Sequence, residues 1–156
     1  MPKHKYITRA ATVADAEHLA PRLRQADIDE VEAATGSDPL EALLTSLRHS
    51  EEAFVWEVDG EVVCMFGVAG ASLMSDRGSP WMLTSDVLVH HARVFLRGAR
   101  EAIAYWKKDY SYLCNFVDAR NTQAIRWLQW LGFDILPPRA FGPQDMMFHI
   151  FEMKGY

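Results

Sequence analysis

Residues 121–133 read Asn121-Thr122-Gln123-Ala124-Ile125-Arg126-Trp127-Leu128-Gln129-Trp130-Leu131-Gly132-Phe133. Asn121 is a good helix N-cap, because its side-chain oxygen can accept one of the unpaired first-turn N–H groups. Ala124, Ile125, Leu128 and Leu131 then recur at helical spacing. Gly132 suits the left-handed residue that stops a helix. The stretch predicts a helix marked at both ends, and Phe133-Asp134-Ile135-Leu136 predicts a strand directly after it.

Upstream, Tyr112–Val117 reads as a strand, and a helical apolar period runs from about Leu88 to Trp106. Trp81-Met82-Leu83-Thr84 is a short predicted strand, with Asp76-Arg77-Gly78 as a turn before it. Two runs, Ala53–Val58 and Glu61–Phe66, flank Asp59-Gly60, a strong two-residue hairpin signal. Nearer the N-terminus, Tyr6–Arg9 is a first strand and Thr12, with Asp15, resembles a capping box. Pro21 should kink or restart the helix that follows, which continues through Ile28 and Val31. Asp38-Pro39 opens another helix lined by Leu40, Leu43, Leu44 and Leu47. Downstream, Pro137–Pro143 reads as a long loop and Met146–Met153 as a closing strand. Hairpin-linked strands come first and helix–strand alternation later, which predicts one α+β (mixed α/β) domain over residues 1–156.

The chain's 156 residues carry 16 Lys plus Arg against 21 Asp plus Glu, a net charge of -5. No long-range positive field is available for nucleic acid. No apolar run reaches the ~18 residues of a spanning helix, and no secretory signal is seen, so a cytoplasmic protein without membrane partners is expected. Cys64 and Cys114 lie far apart in apolar segments, which predicts reduced thiols. The six histidines show no zinc-like spacing, so no metal is expected.

The 121–133 segment, with its Asn-x-x-Ala opening and Gly-Phe close, resembles the corresponding motif of the GNAT superfamily of N-acetyltransferases. Arg9-Ala10-Ala11-Thr12-Val13-Ala14-Asp15 and the Asp59-Gly60 hairpin are similar to that superfamily as well. The resemblance implies a central twisted mixed sheet flanked by helices, acetyl-CoA as cofactor, and a CoA thioester and an amine acceptor as partners. A narrower resemblance runs through Leu23-Arg24-Gln25-Ala26-Asp27-Ile28-Asp29-Glu30-Val31 and Ala34-Thr35-Gly36. It points to a family of short-tailed-phage and prophage proteins, one member of which is an internal virion, or morphogenesis, protein. Two functions follow: a phage-encoded acetyltransferase, or an inactive GNAT-fold protein acting in virion assembly with phage structural proteins. The apolar row Met146–Met153 also suits an interface strand, hence a homodimer.

Acyl transfer from CoA needs a diphosphate cradle, a base for the amine, and stabilisation of the leaving group. GNAT proteins build the cradle from a [Gln/Arg]-x-x-Gly-x-[Gly/Ala] loop. The matching segment here is Arg93-Val94-Phe95-Leu96-Arg97-Gly98, in which Leu96 replaces the first glycine. It reads either as a degenerate loop or as ordinary helix with Gly98 as a close-packing point. The candidate cofactor-binding residues are Val87, His90, Arg93, Arg97, Gly98 and Asn121. The family's usual tyrosine proton donor corresponds to Leu128. Candidate bases are Asp27, Glu30 and Asp86, with Asp86 more readily a helix N-cap than a base. Arg24, Trp81 and Asn115 are candidate acceptor contacts.

Overall fold

The computed structural model describes residues 3–70 and 75–154. Strand β1 (Tyr6–Ala10) leads through the Thr12–Asp15 capping box into helix α1 (Val13–Leu19). Pro21 does restart the chain: a 3-10 turn over Ala20–Arg22 separates α1 from helix α2 (Gln25–Thr35). Helix α3 (Pro39–His49) begins at the expected Asp38 cap, which accepts the Glu41 N–H. The hairpin of β2 (Glu52–Val58) and β3 (Glu61–Gly70) turns at Asp59-Gly60, both at positive φ.

Strand β4 (Arg77–Thr84) is longer than expected, and Arg77-Gly78 of the predicted Asp76-Arg77-Gly78 turn are in fact its first residues. Gly78 is there for close approach, not for turning. A Cβ on it would lie 2.9 Å from the Tyr110 ring and 3.0 Å from Val68. Pro80, which lacks an N–H, is tolerated because it sits where β4 has already parted from its parallel neighbour and no ladder bond is lost.

A 3-10 segment (Asp86–His91) then precedes helix α4 (Ala92–Trp106), followed by β5 (Tyr112–Asp118) and α5 (Thr122–Leu131). α4 therefore starts four residues later than the apolar period suggested, and the cap of the 3-10 segment is Ser85 rather than Asp86. Asn121 caps α5 by accepting the Ala124 N–H at 3.4 Å, and Gly132 ends it at φ 103°. Strands β6 (Asp134–Ile135), β7 (Arg139–Phe141) and β8 (Met146–Lys154) complete the chain. β7 forms inside the Pro-rich segment read as a loop.

The strands make one sheet in the order β1-β2-β3-β4-β5-β8-β6, with β7 also on β8. All pairings are antiparallel except β4–β5. α1 and α3 cover one face around Leu19, Leu43, Val55 and Met65. α4 and α5 cover the other, around Phe95, Trp127, Ile103 and Phe133. Trp127 is the core tryptophan of α5, whereas Trp130 is about half exposed. Both cysteines are free; Cys64 is buried and Cys114 half-buried. No helix among the described residues is long and apolar enough to cross a membrane.

Candidate functional site

The parallel pair β4–β5 is the irregular point of the sheet. It is in register only at Arg77–Tyr112 and Gly78–Leu113; beyond these the two strands diverge. Splayed strands leave main-chain groups without ladder partners, and buried main-chain groups must be paired somehow. Three side chains do this. Asn115, on β5, donates from Nδ2 to the Pro80 carbonyl of β4 at 3.0 Å and accepts the Phe116 N–H at 2.8 Å. It bridges the strands at the apex of the split. Further along, α2 supplies one carboxylate to each strand. Asp27 accepts the Thr84 N–H of β4 at 2.9 Å, and Glu30 accepts the Asp118 N–H of β5 at 2.7 Å.

Asn121 joins these two carboxylates. Its Nδ2 donates to Asp27 at 3.4 Å and to Glu30 at 3.5 Å, and its Oδ1 accepts Arg24 Nη2 at 3.3 Å. Arg24 also lies 3.8 Å from Asp27 and sits over the Trp127 ring at 5.8 Å. Its main-chain N–H bonds the Thr84 carbonyl at 2.9 Å. Arg24, Asp27 and Asn121 are each at least nine-tenths buried. The solvated charge ladder that such spacing ordinarily makes is thus replaced by a buried brace holding the splayed strands to α2.

Thr84 directs both its N–H and its C=O away from β3. By the alternation of an antiparallel ladder, Met82 and Pro80 direct theirs the same way. The Met82 peptide groups therefore face the split, between the groups that Asn115 and Asp27 have paired.

A cavity of about 400 Å³ runs through this split. Phe95, Leu96, Ile103, Trp106 and Leu128 line it on the α4–α5 side; Val31, Ser46, Trp81, Phe116 and Phe141 line it on the α2–α3 side. The size falls in the range of small-molecule sites. Arg24, Asp27 and Glu30 are its only charged residues among the described lining.

Burial pushes the Asp27 carboxyl up to about 6, against the pull of Arg24 and the Thr84 N–H. Burial pushes Glu30 up further, to about 8, with the neighbouring Asp27 charge adding to the rise. Two interacting carboxyls titrate as a pair, so these values describe the couple.

Of the residues singled out in the sequence, Arg24, Asp27, Glu30, Trp81, Asn115 and Asn121 meet at the cavity. Trp81 donates its indole N–H to Ser50 Oγ at 2.7 Å, so its ring is pinned against α3. Asp86, Val87, His90, Arg93, Arg97 and Gly98 are not among the lining residues. Asp86, His90, Arg93, Arg97 and Gly98 are exposed. Gly98 lies inside α4, and a Cβ on it would meet nothing within 4 Å, so it is not a close-packing point. Two main-chain amides at this candidate cofactor site are already used: Val87 N–H bonds Ser85 Oγ and Leu88 N–H bonds the Ser85 carbonyl. His91 is half-buried, and its Nδ1 shares a hydrogen bond with the Tyr6 hydroxyl at 2.9 Å.

Sequence reasoning missed Phe116, Phe141 and Met82. Phe116 stacks on Phe141 at 3.9 Å, and Phe141 meets Phe148 edge-on. The only available signal was the aromatic residue within the Pro-rich segment.

Among the described residues no group of metal-ligating side chains is assembled. No family model and no curated protein sequence matches the chain. Solved structures do. An Ard1 protein from Thermoplasma volcanium superimposes with a TM-score of 0.75 at 16% identity, covering 97% of this chain and 98% of that one. An N-acetyltransferase from Staphylococcus aureus gives 0.72 at 17%, covering 97% and 99%. The aminoglycoside acetyltransferase AAC(6')-Ib in complex with coenzyme A gives 0.68 at 16%, covering 96% and 95%. The chain has the GNAT acyltransferase fold, a central mixed sheet flanked by helices.

Proposed function

We propose that the protein is an acetyl-CoA-dependent N-acetyltransferase whose single GNAT-like unit carries both half-sites. The observation that carries this reading is the cavity through the β4–β5 split. It offers an apolar channel, one unpaired strand edge at Met82, and two acids inside it. The solved AAC(6')-Ib structure of the same fold contains coenzyme A.

On this reading the pantetheine arm lies along the α4–α5 side of the split, extending β4 as an added strand would. The Met82 N–H faces the thioester carbonyl and stabilises the oxyanion that forms when the amine attacks. The diphosphate binds at the start of α4, whose first turn has no side-chain cap and beside which His90, Arg93 and Arg97 are exposed. Gly98 takes no part. The Asp27–Glu30 couple accepts the amine proton, directly or through one water, and its raised values near 6 and 8 suit a base working near neutrality. Leu128 supplies no proton, so the CoA thiolate leaves into solvent or takes a proton from the couple. Arg24, Asn115 and Asn121 position this machinery.

A second reading, virion assembly by an inactive chain, draws on the phage resemblance of the Leu23–Val31 segment. Arg24, Asp27 and Glu30 of that segment build the brace, so their presence has a structural reason with or without catalysis. Thiol release from acetyl-CoA in the presence of a mixed amine panel separates the two. Acetyltransfer predicts amine-dependent release, abolished or reduced about 10²–10⁴-fold in Glu30→Gln. Normal particle yield after deletion from a parent phage would remove the second reading.

A further inference from the structure

We propose that the acceptor is an aromatic monoamine, held between Trp81 and the stacked Phe116–Phe141 pair; this rests on the acetyltransferase reading above. Three features of the α2–α3 half of the cavity carry it.

The first is its walls. Phe116 and Phe141 lie nearly parallel, 14° between planes, and Trp81 faces the same space from β4. Trp81 has its one donor committed to Ser50, so it offers this space a ring and no hydrogen bond. Aromatic walls reward a flat apolar guest through area and offset or edge-on contacts.

The second is the charge count. Among the described lining residues the charges are Arg24, Asp27 and Glu30, and they are bonded to one another through Asn121 or to strand ends. Arg139, with its guanidinium 5.8 Å from the Phe116 ring, adds a positive charge nearby. A polyamine, an aminoglycoside or a lysine-rich peptide brings several ammonium groups that each need an acidic partner when desolvated. No such surplus of acid lines this space. A guest with one amino group, entering as the free base, needs only the proton acceptor already present.

The third is rigidity. The turn after Phe141 is pressed against the C-terminal end of α2: a Cβ on Gly142 would lie 2.1 Å from the Ala33 carbonyl oxygen. Phe141 is thus fixed relative to the brace rather than carried on a free loop, as a shape-selective wall requires.

The test has two arms on the full chain. Saturation-transfer NMR, without cofactor, compares tryptamine with spermidine. Acetylation with acetyl-CoA then compares kcat/KM for tryptamine, spermidine and a lysine tripeptide. The inference predicts tryptamine binding without cofactor, at least a tenfold preference for it in kcat/KM, and a tenfold or greater rise in its KM in Phe141→Ala. Acetyl-CoA affinity should stay close to wild type in that variant while the melting temperature falls with the lost ring packing; Phe141→Leu, which keeps an apolar wall but removes the ring, separates a collapsed wall from the loss of aromatic contact. Equal or better use of spermidine or the peptide would overturn the substrate class and leave the acetyltransferase intact. Tryptamine binding without any acetyl-CoA turnover would overturn the acetyltransferase and leave the aromatic pocket standing. Absence of tryptamine binding and turnover would overturn the inference directly.

Discussion

At the scale of single residues, Glu30 has the clearest consequences. Its ordinary value is 4.5 and burial raises it to about 8 in the folded chain. Between these values the unfolded chain has released the proton and the folded chain retains it. Folding stability from this group is therefore full below about pH 4.5 and is lost as pH rises toward 8. Asp27, raised from 3.8 to about 6, acts in the same direction over a narrower window. The melting temperature should fall as pH goes from 5 to 8.5, and Glu30→Gln should flatten that slope. Parallel curves for the two proteins would refute the assignment. Activity runs the opposite way, because only the ionised couple accepts a proton, so kcat should rise over the interval in which stability declines.

Asn115 gives a second residue-scale test. Its amide satisfies one main-chain group on each side of the split. Asn115→Ala leaves both half-buried groups unpaired, at a combined cost of about 1–3 kcal/mol. Chemical denaturation should register a loss in that range. A change below about 0.5 kcal/mol would mean that water replaces the amide.

At the scale of elements, α4 is the informative case. The expected phosphate-loop motif lies wholly inside it, and Gly98 has open space around it. An exposed glycine in a helix interior costs about 0.5–1 kcal/mol relative to alanine. Gly98→Ala should stabilise the protein by about that amount and leave acetyl-CoA affinity unchanged. A loss of affinity would return Gly98 to the cradle. Gly142 is the converse: its φ of +83° and the Ala33 carbonyl leave no room for a side chain. Gly142→Ala should destabilise by more than about 1 kcal/mol and loosen Phe141.

The same elements mark how far the residues alone could be read. α5 was legible from both ends because Asn121 and Gly132 act locally on their own helix. The β2–β3 hairpin was legible for the same reason. β4 was cut short because Gly78 and Pro80 signal a turn in isolation; what makes them strand residues is the Tyr110 ring and a missing neighbour, both distant in sequence. β7 was missed within its prolines because its partner β8 defines it. At the site, the i, i+3 spacing of Arg24, Asp27 and Glu30 puts the three on one helix face. That this face is buried against two splayed strands depends on the sheet and carries no local mark.

At the scale of the whole molecule, the sheet is organised around one break. The antiparallel strands β1–β4 form one half, and β5 with β8, β6 and β7 forms the other. The halves meet in parallel for only two residue pairs before opening, and α2 crosses the opening. The cavity follows from this topology, and the acyl-transfer step proposed above lies along it. The solved neighbours establish the fold, and the central claim built on it is that a CoA thioester occupies the split.

Isothermal titration of the full chain with acetyl-CoA tests it most directly. One saturable site per chain is predicted, with a dissociation constant between about 1 µM and 1 mM, weakened by charge reversal at Arg93 and unaffected by Gly98→Ala. No saturable heat at several millimolar acetyl-CoA, over a range of temperatures, would contradict the account.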